Sequence, residues 1–72
     1  MLNAWYEKDT DKIKIELDQY NIDLPATRTE RIFESGETYI DIGYDENDNF
    51  LRFIIFPSDF ISETAKLILP SR

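Results

Sequence analysis

The sequence predicts an α+β fold, mostly β: an antiparallel meander of four to five strands with a short C-terminal helix, forming a single domain over residues 1–72. Three observations predict it. Residues 12–17 alternate strictly between apolar and charged side chains. Residues 38–44 and 50–56 are two β-compatible runs joined by the polar loop Asp45-Glu46-Asn47-Asp48-Asn49. An apolar segment with helical spacing follows Pro57.

The first strand is expected over residues 2–7, rich in β-compatible side chains, and the polar stretch Lys8-Asp9-Thr10-Asp11 reads as its hairpin turn. The second strand, 12–17, puts Ile13, Ile15 and Leu17 on one face and Lys12, Lys14 and Glu16 on the other. Strands one and two should therefore be antiparallel neighbours. Residues 18–25 break the pattern with the turn formers Asn21, Asp23 and Pro25, although Tyr20, Ile22 and Leu24 alternate as if lying along the sheet.

A third strand is expected over 27–34, followed by a turn in which Gly36 can adopt a positive φ. In the fourth, Thr38, Ile40, Ile42 and Tyr44 share one face. In the fifth, Leu51, Phe53 and Ile55 are expected on one face and Phe50, Ile54 and Phe56 on the other with Arg52, so that both faces need cover. One cover is a helix capped by Ser58 and packing through Phe60, Ile61, Ala65 and Ile68. Ser62 is an alternative cap, and residues 67–69 could instead form an edge strand. The other face would then need a partner, and a second copy of the chain is the simplest one.

Composition narrows the function. The 72 residues include neither cysteine nor histidine, which removes disulfides and the commonest metal and nucleophile chemistry. Ten aromatic residues supply much of the core area that so short a chain needs. The longest apolar stretch is Phe53 to Phe56, far short of a membrane span, and the N-terminus lacks a basic start and an apolar secretory core, so a cytoplasmic location is expected. Eight basic residues against fifteen acidic ones leave a net charge of −7. That field repels phosphate backbones and attracts basic proteins.

Candidate chemistry is sparse. Asp45, Asn47 and Asn49 place oxygen at alternate positions, as a calcium loop does, but Phe50 and Phe56 stand where such a loop needs Gly and Glu. A hairpin turn explains them. The carboxylates Asp9, Asp11, Asp41 and Asp45 are expected in or beside polar turns, where nothing in the sequence marks any of them as a catalytic pair. Gly36 and Gly43 are isolated and form no phosphate cradle. Phe50-Leu51-Arg52-Phe53 interleaves rings with one cation, and core packing accounts for the rings.

The run Tyr6-Glu7-Lys8-Asp9-Thr10-Asp11-Lys12-Ile13-Lys14-Ile15-Glu16-Leu17 resembles the opening of a family of small bacterial domains of unknown function, whose members typically begin Tyr-Asp-x-x-x-Asp-x-Leu-Tyr-Ile-x-Leu. Residues 44–55 are similar to that family's second hairpin, in which Asp-Tyr-Asp and a glycine-containing turn precede a strand. The two segments and their connection cover most of residues 5–59. Asp48 and Asn49 stand where the turn glycine would fall, and Ile54 replaces an acidic residue. The resemblance implies the fold and carries no catalytic residue.

The expectation is therefore a non-catalytic acidic module, an antitoxin, immunity or phage-type inhibitor that binds a basic protein, with no cofactor, metal or direct nucleic-acid contact. The residues expected to meet the partner are Asp41, Asp45, Glu46, Asp48, Arg52, Ile54 and Phe56. Two alternatives stand beside it. One is a homodimer that buries the apolar surface around Ile54 and Phe56. The other is a metal-dependent hydrolase built on carboxylates alone.

Overall fold

A computed structural model describes residues 2–17 and 24–72. The elements run β1 (Leu2–Glu7), β2 (Lys12–Leu17), β3 (Arg28–Ser35), β4 (Thr38–Tyr44), β5 (Phe50–Phe56) and α1 (Asp59–Ile68). All strand pairings are antiparallel within one sheet of order β1-β2-β5-β4-β3. The fold is the expected mostly-β class with a C-terminal helix. Its meander spans β3, β4 and β5, and the β1–β2 hairpin joins through β2 and β5. Residues 18–23, including the expected alternation of Tyr20 and Ile22, lie outside the described residues.

Each turn is set by residues that tolerate a left-handed backbone. Asp11 closes the first hairpin at φ 54°, Gly36 the second at φ 58° and Asp48 the third at φ 62°. In the third turn the Asp45 carboxylate accepts hydrogen bonds from the backbone N–H groups of Asn47 (2.8 Å) and Asn49 (2.9 Å). Asp48, an aspartate able to adopt αL, thus closes this turn without a glycine.

The register divides the side chains between two faces. Tyr6, Ile13, Ile15, Phe53, Ile55, Ile40 and Ile42 share one, while Trp5, Lys14, Glu16, Arg52, Ile54, Asp41, Tyr39 and Phe56 share the other. A bulge in the β4–β5 ladder leaves Leu51 unpaired and sets Phe50 opposite Tyr44. Phe50 therefore lies on the Phe53 face, with ring centroids 5.1 Å apart, and not with Ile54 and Phe56 as simple alternation predicts. Leu51 is fully buried.

The first face is covered by α1, but through a different side of the helix than the sequence suggests. Ser58 occupies the cap position, where its carbonyl accepts the Ser62 N–H at 2.8 Å and its side chain makes no capping bond. The buried helix residues are Ser62 and Ala65, which pack with Tyr6, Ile13, Ile15, Ile55 and Leu69. Of the four residues expected to face inward, only Ala65 does so. Small side chains let the helix lie close on the sheet, and that geometry outcompetes burial of the larger ones on the opposite side.

The second face is crossed by the chain leading into β3. The Leu24 carbonyl accepts a hydrogen bond from Arg52 Nη2, and Ala26 packs on Gly43. A Cβ at Gly43 would lie 3.1 Å from the Ala26 Cβ, a contact tight enough that Ala26 would have to give by a few tenths of an ångström. Finally, residues 70–72 return to β1: Tyr6 N–H donates to the Pro70 carbonyl (2.8 Å), Arg72 N–H to Tyr6 (2.8 Å) and Lys8 N–H to Arg72 (3.1 Å). The edge pairing expected of residues 67–69 thus falls three residues later, beyond the helix.

Candidate functional site

The seven residues expected to contact a partner do not form one surface. Arg52 is buried at 5% exposure, with its Nε 3.1 Å from Glu16 Oε2, and Glu16 has no exposure at all. Asp41 is also buried and receives Arg31 Nε at 2.8 Å. These charges are matched internally, so neither Arg52 nor Asp41 is available to an outside ligand. Phe56 lies beneath Lys12 (5.0 Å to the ring centroid) and Arg31 (5.7 Å), with Tyr39 edge-on at 6.3 Å. With Ile54 it is half-buried, so the apolar surface expected to form a dimer contact is already partly covered within the chain. Asp45 caps its own turn, while Glu46 and Asp48 are exposed and Asp48 receives Arg28 Nε at 3.2 Å.

The turn carboxylates are held charged by their own neighbourhoods. The Asn49 backbone N–H, with smaller help from Asn47 and the Asn49 side chain, keeps Asp45 below the ordinary carboxylate range despite slight desolvation. Asp11 is lowered first by the Ser62 hydroxyl, which donates to Oδ1 at 2.6 Å, and second by Tyr6, whose hydroxyl donates to the same oxygen at 2.5 Å. For Glu7 partial burial pushes upward, but hydrogen bonds from Lys14, Thr10 and Trp5 and the Lys14 charge together bring it down. A shallow cleft of about 210 Å³ lies between the chain entering β3 and the third turn, lined by Leu24, Pro25, Thr27, Asp45, Glu46 and Asn47. Among the described residues no three carboxylates gather where they could hold a metal ion.

The most exposed apolar material lies on α1. Phe60 is 81% exposed, Leu67 86% and Ile68 73%, and Ile61 adds to them. Phe60, Leu67 and Ile68 stand at i, i+7 and i+8 and so share one side of the helix, opposite the Ser62 and Ala65 side. Asp59 and Glu63 lie on the exposed surface beside them, with Lys66 Nζ bound to Glu63 at 3.1 Å. This side of α1 was not among the expected contact residues. The sequence signal for it is the second stripe, Ser58, Ser62, Ala65 and Leu69, whose small residues compete for the sheet.

Charge reinforces the pattern. At least five of the eight cations, Lys14, Arg28, Arg31, Arg52 and Lys66, are engaged in ion pairs within the chain. The excess of carboxylates therefore sets the external potential. No helix among the described residues is long and apolar enough to cross a membrane. No protein-family model, curated protein or solved structure matches the chain.

Proposed function

We propose that this chain is a non-catalytic protein-binding module, an antitoxin, immunity or phage-type inhibitor working in the cytoplasm, that uses the outer side of α1 to engage a basic protein. The observation that carries the reading is the exposure of Phe60, Leu67 and Ile68 on the side of the helix turned away from its own sheet. Large apolar side chains gathered on one surface mark interaction sites, and burying each is worth roughly 1.5–3 kcal/mol. Asp59 and Glu63 at the rim, within a net charge of −7, favour a partner whose apolar groove is edged by Lys and Arg.

In this reading the acidic field accelerates encounter and the apolar contact holds the complex. Capture on the immobilised chain from extract of its native host at low salt, followed by a salt titration, tests it. A basic protein should be retained, should weaken with rising salt, and should be lost when the bait carries Phe60→Asp and Leu67→Asp. Failure to retain any basic protein, or retention indifferent to the double substitution, would overturn it.

A further inference from the structure

The two outer strands of the sheet are treated differently. At the β1 edge, residues 70–72 take up backbone groups of Tyr6 and Lys8. β3 is eight residues long, every one of them exposed, and among the described residues it pairs only with β4. It carries neither proline nor lysine, although Arg28, Glu30, Arg31 and Glu34 place charges along it, so a partner strand must match those charges.

What this edge would accept follows from the bulge at Ile32. Arg31 stands opposite Asp41 and Glu34 opposite Tyr39, while Ile32 has no partner in β4. Asp41 and Tyr39 are two apart in a regular strand and share a face, so Arg31 and Glu34, three apart, share that face too. A regular strand would put them on opposite faces. Two copies of one strand joined antiparallel in a single sheet are related by a two-fold axis normal to it, which pairs only residues on the same face. A regular strand must then centre on a residue. Centring on Arg31 sets that residue against itself, and centring on Ile32 sets Glu30 against Glu34. The bulge permits a centre between Ile32 and Phe33. There Arg31 meets the second copy's Glu34 twice, in exchange for the 3.7 Å contact the two residues make within one chain, and Ile32 stands level with the second copy's Phe33.

We propose that β3 pairs antiparallel with β3 of a second copy in this register, joining two five-stranded sheets into one of ten strands. The contact matches opposite charges and covers Ile32 and Phe33, each about half exposed in the single chain. It is independent of the role given to α1 and leaves that helix open. A single strand pair buries less than a standard interface, so the dissociation constant should be on the order of 10–100 μM.

Sedimentation velocity from about 1 μM to about 500 μM tests the pairing, because that range brackets the expected constant. The unmodified chain should pass from monomer to dimer. Glu34→Arg, an exposed change that leaves the Arg31–Asp41 pair in place, should remain monomeric and keep its β-sheet circular dichroism. Arg31→Glu, with its β-sheet circular dichroism checked because it removes the partner of buried Asp41, should also be monomeric. An equimolar mixture of the two variants should dimerise again, since each chain then meets its opposite at both contacts. A monomeric unmodified chain at the highest concentration would overturn the proposal. So would dimerisation of Glu34→Arg at undiminished affinity, which would place the contact elsewhere, for instance on α1.

Discussion

The two ends of this sheet use the same residue types for opposite purposes. At the β1–β2 end, Tyr6, Asp11 and Ser62 bind one another, Ala65 and Leu69 lie on Ile13, and residues 70–72 line the outer strand. At the β3 end, Ile32 and Phe33 are about half exposed and the strand edge is bare among the described residues. Apolar burial near the helix stabilises the fold, whereas the apolar side chains exposed on β3 and on the outer side of α1 are the ones proposed above to meet other chains. A domain of this size has a total stability of only about 4–11 kcal/mol. It can therefore leave large side chains uncovered only where its sealed part is well satisfied.

The strongest way to break the comparison lies in the buried pair of the second face. Arg52→Met leaves the fully buried Glu16 without its cation and should cost about 3–5 kcal/mol in urea denaturation, most of the stability available. Glu16→Leu with Arg52→Met removes both charges and should cost about 1 kcal/mol or less. A double variant as unstable as the single one would show that the polar network itself specifies the fold.

Next comes the junction of the first hairpin with the helix. Ser62→Ala removes a buried donor to Asp11 and should cost about 1–2 kcal/mol at pH 7. The folded pKa of Asp11 lies below its unfolded value of 3.8, so the stabilisation is fully present above pH 3.8 and is lost as pH falls through the lower folded value. The deficit of the variant should therefore shrink in acid, and a pH-independent deficit would point to packing instead. At the open end, Gly36→Ala meets no atom within 4 Å, so its cost of about 1 kcal/mol should be backbone strain alone. The smallest effect on stability belongs to Phe60→Asp. At 81% exposure it should change unfolding by less than about 0.5 kcal/mol while abolishing partner capture.

The strands were legible because a two-residue period and turn-forming Asp, Asn and Gly leave few alternatives; β2 and the β4–β5 hairpin fall on the residues the pattern names. The helix was legible in position but not in orientation. Two stripes compete on it, and the one with larger side chains loses because Ser62 and Ala65 permit a closer approach. The fates of Asp41 and Arg52 were illegible for another reason: their partners, Arg31 and Glu16, lie on other strands and are brought opposite them only by the ladder register. The bulge at Ile32 was equally silent, since nothing in the run Arg31-Ile32-Phe33 announces a skipped position.

Trp5, the only tryptophan in the chain, sits at 3% exposure with the Arg72 guanidinium 4.4 Å from its ring and the Glu7 carboxylate 3.4 Å from its indole nitrogen. The one tryptophan is thereby stationed beneath Arg72, at the edge that residues 70–72 close. Excited apart from the tyrosines, its emission is a built-in gauge of whether those residues remain in place, and it can be read without a label.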